Sequence, residues 1–552
     1  MTAAPPALRH LSWTLAPALL AGGLLAAPPR AAHACGGFFC GNVPVVQTGE
    51  QIVFAVDEAR GEVDVTIRIA YAGPPTEFAW LLPLRANPTR IGLGTDRAFQ
   101  AIDRVTAARF VPNLRDNQCF AVDAAVNFGD AGARDLDGGP TPPPVTVLQQ
   151  SDVGAFSSVV LAGTDTQAVR AWLVENGYRV TDTMMEAVVP YLSNGDVLLA
   201  LRLQSGRMTG ELQPIGLTIP MPEPCIPLRL TAIAAQDDMP VTAVVFSKTG
   251  RAVPQNYLHV ELNPRRIAWL NRGSNWPSLV AAAVDQAGGN AFATEWAGPA
   301  SQLAAAIARP GEYDLSALRT ATVASTVLAA VGEQGLNARR EVQGILQGLL
   351  TNEQLTAVGI DATSFWGCPQ CDPRASSLPL SGAEVARLVE ERIITPDTHL
   401  QTQIDAMRYG TRLYTVISPE EMNVDPIFAF RTDLPDVPAL RQADVFVRCD
   451  ASGLRVEVEI DGQRLPADFS GVVDGAAPAA IQIANLFTRE IIDEPMPSPT
   501  PSTSPGPSPS TPGGSNARPS DDCTCTSAGS GAPAALGWLA VGALLAARRR
   551  RR

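Results

Sequence analysis

Lysine is nearly missing from this chain: Lys248 is the single one among 552 residues, and histidine occurs only four times. His10 and His33 fall within the first 34 residues, which leaves His259 and His399 for the rest. That scarcity excludes most designs built on a histidine base. A Ser-His-Asp site would have to use one of these two, and the chain has no G-x-S-x-G elbow, no H-E-x-x-H and no P-loop. His259 lies in an alternating apolar stretch and reads as a structural strand residue; His399 lies in a polar stretch and reads as solvated.

Positive charge is also scarce. The 42 basic and 55 acidic residues give a net charge of -13. Arg9, Arg30 and the five arginines 548–552 sit near the two ends, and removing these seven leaves 35 bases against 55 acids, about -20. A body of that charge repels phosphate backbones and anionic lipid, so no nucleic-acid partner is expected.

The ends carry the clearest signals. Arg9 and His10 precede an apolar run to Leu25, and Ala32-His33-Ala34 forms a small-x-small cleavage pattern, so residues 1–34 read as a secretory signal peptide. Cleavage leaves Cys35 first. Simple secretion is the main reading, because Ala32 stands where a lipoprotein signal prefers leucine; lipidation of Cys35 is the alternative. At the other end, residues 494–522 form a Pro/Ser/Thr-rich stalk. In residues 523–552, Cys523-Thr524-Cys525 precedes an apolar run at 532–547 and then the arginine cluster. That run is about 24 Å long at about 1.5 Å per residue, short against a hydrocarbon core of roughly 30 Å, and with residues 527–531 it just spans. The arginines place its end in the cytoplasm. Cys523 and Cys525 are the candidates for tail processing or lipidation. The expected partners are the membrane, through this tail, and a sorting or processing protease; the ligand is left open. The expected location is the cell envelope, at the outer surface once the tail is processed.

Between the ends the pattern predicts an α+β protein: an antiparallel β-rich domain over residues 35–300, a mainly helical region with a CxxC loop over 301–411, and a small β-meander within 412–493. Residues 62–71 alternate strictly, with Val63, Val65, Ile67, Ile69 and Tyr71 opposite Glu62, Asp64, Thr66, Arg68 and Ala70. This predicts a half-buried strand, paired through a loop at 57–61 with a strand at 51–56. Further strands are predicted at 78–82, stopped by Pro83, and at 155–161, 197–203, 228–234, 242–246 and 257–262. A capping box of Thr164 and Gln167 opens one helix, which Gly177 ends. A second starts at Asn275 and Pro277 and ends at Gly288-Gly289. Helices are also predicted at 318–332, at 338–350 and from Ser381, and strands return around Val445 and over 454–460, followed by an Asp461-Gly462 hairpin turn.

Three strings then stand out: Cys35-Gly36-Gly37-Phe38-Phe39-Cys40, Phe78-Ala79-Trp80-Leu81-Leu82-Pro83, and Asn256-Tyr257-Leu258-His259-Val260-Glu261-Leu262-Asn263. With Thr411-Arg412-Leu413-Tyr414 and Ser418-Pro419-Glu420-Glu421-Met422, they make residues 35–440 resemble a family of exported bacterial proteins of unknown function. The resemblance implies export and a shared fold, and brings no activity. The tail is similar to the MYXO-CTERM type of sorting signal, which implies processing at a cysteine during transfer to the cell surface.

Cys368-Pro369-Gln370-Cys371 is the sharpest local motif. A redox dithiol wants its first cysteine at a helix start, and Asp372-Pro373 opposes a helix there; zinc needs a second ligand pair, which the chain lacks. A structural disulfide is the favoured reading. Cys35 and Cys40 are close enough to pair, and Cys119, Cys225 and Cys449 remain, with connectivity open. Seven body cysteines leave one odd, whereas lipidation of Cys35 would let the other six pair. The acidic pairs Asp237-Asp238, Glu390-Glu391 and Glu420-Glu421 read as solvated surface. Asp130, Asp135 and Asp137 before Gly138-Gly139 match no complete calcium loop. No catalytic, cofactor-binding or metal-binding residue is assigned. The function expected is therefore a surface-displayed, non-enzymatic protein, structural or ligand-binding. The alternative is an envelope enzyme, either a hydrolase using carboxylates or a thiol oxidoreductase at Cys368 and Cys371.

Overall fold

The computed structural model describes residues 46–72, 79–117, 146–178, 180–204, 213–221, 223–450 and 453–493. The signal peptide, Cys35, Cys40, Cys119, the aspartate loop at 130–139, the stalk, and the tail with Cys523 and Cys525 lie outside the described residues.

The architecture starts from strands that are apolar on both sides. β1 (Val46–Asp57) carries Ile52, Phe54 and Val56 on one side and Val53 and Ala55 on the other, all at most 2% exposed. Such a strand needs a layer on each face. It pairs antiparallel with β2 (Glu62–Ala72), with Val56 opposite Val63, and parallel with β10 (Met239–Ser247). These three are the middle of a ten-stranded sheet. Beyond β2 lie β9 (Ile215–Ile219) and β4 (Arg90–Leu93). Beyond β10 come β14 (Tyr409–Ile417), β13 (Ala291–Pro299), β12 (Leu258–Leu262), β19 (Ala480–Asn485) and β20 (Glu490–Asp493).

One face of this sheet packs on a four-stranded antiparallel sheet in the order β3 (Ala79–Leu84), β8 (Val197–Leu203), β7 (Phe156–Ala162) and β6 (Thr146–Val153). Ile52, Phe54, Val65 and Ile67 meet Leu82, Val160, Leu199 and Leu201 in the core between them. The far side of the smaller sheet is covered by α2 (Thr166–Glu175) and α3 (Asp182–Ser193) through Val169, Trp172, Leu173 and Met184. The opposite face of the large sheet is covered by α1 (Asp96–Thr106) and α12 (Thr395–Asp405), where Phe99, Ile102, Leu400 and Ile404 meet Val53, Val244 and Phe246. The result is four layers: helix, sheet, sheet, helix.

The helical region has its own apolar core. It comprises α6 (Ser316–Thr320), α7 (Ala324–Glu333), α8 (Arg340–Leu349), α9 (Asn352–Ala357), α10 (Ala362–Gly367) and α11 (Gly382–Val389). One π turn, Glu390–Ile394, joins α11 to α12. The C-terminal strands form the meander β16 (Leu440–Asp450), β17 (Gly453–Ile460) and β18 (Gln463–Ala467), turned at Asp461 (φ 51°) and Gly462 (φ 75°). They also reach back: β16 pairs with β5 (Arg109–Asn117), and β15 (Phe428–Arg431) pairs with β11 (Arg251–Pro254).

Several expectations are corrected. The polar side of β2 is not solvated: Asp64 and Thr66 are 7% and 8% exposed, because α12 and α1 cover them. Residues 228–234 hold a short helix, α4 (Leu228–Thr231), in place of a strand. Pro83 does not stop β3; it sits opposite Leu198 on an edge strand, where a missing N–H leaves no gap in the ladder. α2 is capped by Asp165, which accepts from the N–H groups of Gln167 and Ala168, not by Thr164. Asn275 sits at the start of α5 (Trp276–Gln286) but spends its amide on Ala268 N and Arg266 O.

Candidate ligand-binding cavity

Between the two sheets the side chains do not fill the space. A cavity of about 50 Å³ remains, on a measure in which one water takes roughly 10–15 Å³. Its apolar walls come from Ile52 and Phe54 of β1, Val65 and Ile67 of β2, and Leu82 and Leu84 of β3. Polar groups gather at one end: Arg85, Tyr191, Asp196, Cys225 and Asp425.

Each of those groups is placed by a distinct device. Arg85 directly follows β3, and its guanidinium stands 3.8 Å from Asp196, which also accepts from the Asn194 amide at 3.2 Å. Tyr191 projects from the last turn of α3; it is 7% exposed and its hydroxyl has no hydrogen-bond partner. Cys225 forms a bridge with Ile427, reinforced by Ile226 N–H to Pro426 O at 3.1 Å and Phe428 N–H to Pro224 O at 3.0 Å. This bridge holds the Cys225 segment against the Asp425 segment.

Asn256 and Tyr257 clamp the Asp425 loop from the other side. The Asn256 amide donates to Asp425 O at 2.7 Å and accepts from Ile427 N at 2.8 Å, while the Tyr257 hydroxyl donates to Val424 O at 2.7 Å. Two of the strings singled out in the sequence thus meet here: Leu82 and Pro83 line one wall, and Asn256-Tyr257 fixes the loop that carries the acid.

The electrostatics of this end are unbalanced. Asp425 accepts from Arg229 N at 2.9 Å and has the Tyr191 hydroxyl beside it; among the described residues no basic side chain forms an ion pair with it, and the charges of Arg229 and Arg85 act on it from farther off. Burial raises its pKa above the ordinary carboxylate value, and does the same for Asp196. Burial also pushes the Cys225 thiol up to about 12 and raises the Tyr191 phenol. Cys225 is a free thiol, held neutral and unreactive by that shift. One step along β1 from the cavity, Glu50 is 3% exposed, and burial pushes its carboxyl up to about 7 against hydrogen bonds from Gln47 at 3.1 Å and Thr231 at 3.5 Å.

The residues singled out by sequence lie elsewhere. His259 Nε2 faces Thr294 Oγ1 at 3.0 Å, and burial beside Arg251 lowers its pKa to about 3. His399 is not merely solvated: its Nε2 lies 2.9 Å from Asp64, which also accepts from Thr218 at 2.6 Å. Among the described residues no serine or cysteine bonds to either histidine. Cys368 and Cys371 form a disulfide with a Cα separation of 5.3 Å. Cys368 caps the C-terminus of α10, so a thiolate there would meet the negative end of the helix dipole, the reverse of what a redox thiol needs. Cys449 is disulfide-bonded. Among the described residues no three His, Cys, Asp or Glu gather to hold a metal, and no helix is long and apolar enough to cross a membrane.

Sequence reasoning missed Arg85, Tyr191, Asp196 and Asp425 altogether. Tyr191 and Asp196 are neighbours, but Arg85 and Asp425 lie more than a hundred residues from them on either side, and the four share no local pattern; the two family-like strings were the only available pointer. Neither a curated protein nor a solved structure matches the chain. Residues 29–344 match a bacterial family described as an uncharacterized protein conserved in bacteria, and the chain belongs to that family, DUF2330.

Proposed function

We propose that this protein is exported, held at the cell surface by its C-terminal tail, and acts there by binding a small ligand and not by catalysis. The terminal segments support export and anchoring: a signal-like start, a proline-rich stalk, Cys523 and Cys525, a short apolar run and an arginine cluster. The observation that carries the binding role is the cavity between the sheets, apolar in its walls and polar at one end, the usual make-up of a small-molecule site. Catalysis has less support. The one pair with the geometry of a base and its orienter, His399 and Asp64, has no nucleophile bonded to it among the described residues.

Export and anchoring are tested by cell fractionation with mass spectrometry of both ends of the protein. The expected result is a chain beginning at Cys35, shortened near Cys523 or Cys525, and accessible to protease on intact cells. Recovery from the cytosol of a chain with its first methionine and last arginine intact would overturn the proposal.

A further inference from the structure

We propose that the cavity takes a compact aliphatic ammonium ion, with its tail between the two sheets and its nitrogen beside Asp425 and Tyr191. This rests on the binding role proposed above. The size follows from the space, about 50 Å³, equal to three to five waters on the same measure and matched by a branched chain of about five carbons. The tail is set by Phe54, Val65, Ile67 and Leu82, which offer a ligand no hydrogen bond.

The head is set by what the polar end lacks. Arg85 is paired with Asp196, whereas Asp425 has a backbone N–H and no ion pair, with Arg229 and Arg85 acting on it only from farther off; the Tyr191 hydroxyl lies beside Asp425, 7% exposed and without a well-formed hydrogen bond of its own. A carboxylate in such a place is costly unless a charge or several donors meet it. An ammonium group supplies both, giving one proton to Asp425 and a second to the phenol oxygen of Tyr191. An anionic head would face Asp196 and Asp425 together. A neutral head would leave Asp425 with only the more distant charges of Arg229 and Arg85. The neutral Cys225 thiol adds no charge of its own at this end.

The test is a calorimetric titration of the mature full-length protein with three probes of matched shape: 3-methylbutylamine, 3-methylbutanol and 3-methylbutanoate. The amine should bind about tenfold more tightly than the alcohol, as one charge-assisted hydrogen bond implies, and the carboxylate should not bind. Asp425→Asn, which can still accept from Arg229 N, should bring the amine to the level of the alcohol and leave the alcohol unchanged. Val65→Phe, which fills the cavity, should abolish binding of both. Equal binding of amine and alcohol, or tighter binding of the carboxylate, overturns the ammonium assignment and leaves the binding role standing. Undiminished amine binding to Val65→Phe places the site elsewhere and overturns it too. If none of the three probes binds, the binding role falls with it. Should either variant fail to melt cooperatively, the ranking of the three probes on the unaltered protein decides.

Discussion

The two faces of the ten-stranded sheet are covered in opposite ways. On the face toward β3 and β8 the contact is aliphatic, and it leaves the cavity. On the face toward α1, α8 and α12 the contact is threaded with directional polar bonds. Arg339 donates from two nitrogens to Asp397 at 3.1 Å, Asp397 also accepts from Thr95, and Glu341 accepts from Asp96 N at 3.1 Å. Nearby, Arg412 bridges Asp103 and Glu295, and His399 meets Asp64. Aliphatic contact is non-directional and tolerates a void; a buried arginine whose two nitrogens converge on one carboxylate oxygen restricts the docking geometry. The same strands thus serve a rigid attachment on one side and an adaptable compartment on the other.

This comparison can be broken most severely by removing what completes the sheet. The family match ends at residue 344, but β14 lies between β10 and β13, in the interior of the sheet. A chain truncated after residue 344 loses the hydrogen-bond partner of both strands and should show no cooperative thermal transition by circular dichroism. A native-like melt of that fragment would mean the polar-bonded face is dispensable.

Next in size is Asp397→Ala. The Arg339 and Asp397 side chains are 8% and 4% exposed, and removing the acid leaves the buried cation with only the looser contact to Glu341 at 3.8 Å. The expected loss is about 3–5 kcal/mol in urea unfolding. A loss below about 1 kcal/mol would place this pair with exposed ones.

On the aliphatic face, Glu50→Gln should act in the opposite direction and depend on pH. The folded pKa of Glu50, about 7, lies above the ordinary value of 4.5. Its contribution is therefore fully present below pH 4.5 and lost as pH rises through about 7. The substitution should have little effect near pH 4 and should stabilise the protein by up to about 3 kcal/mol at pH 8. A gain independent of pH would show that the carboxylate is not desolvated.

The smallest effect belongs to the Cys368–Cys371 disulfide, which closes a loop of sequence separation three. Replacing both by serine should cost at most about 2 kcal/mol on loop-entropy grounds, and should leave ligand binding unchanged, because this loop lies apart from the residues of the cavity.

How much of this was legible beforehand follows the range of the interactions. The β1–β2 hairpin was readable because alternation of apolar residues is a local property, but its register was not: the loop expected at 57–61 is one residue shorter, with Asp57 paired to Glu62 and Val56 to Val63. The Asp461-Gly462 turn was readable because two adjacent residues must take positive φ. The helix at Leu228 was not, since Leu228-Arg229-Leu230-Thr231 alternates as a strand would and only the packing of Leu228 into the core with Ile52 and Phe54 goes beyond the local pattern. His399 could not be assigned to Asp64, 335 residues away, from a polar stretch that looks like any solvated one. The cavity was hidden for the same reason: Asp425 becomes a site residue only when Asn256, Tyr257 and the Cys225 bridge fold its loop over the gap between two sheets.

The most direct test of the central claim is a crystal structure of the protein grown with 3-methylbutylamine. The account predicts the branched tail between Phe54 and Leu82, with nitrogen within hydrogen-bond distance of an Asp425 carboxylate oxygen. An unoccupied cavity with the amine bound elsewhere, or an amine reversed so that its nitrogen points at the aliphatic walls, would contradict it.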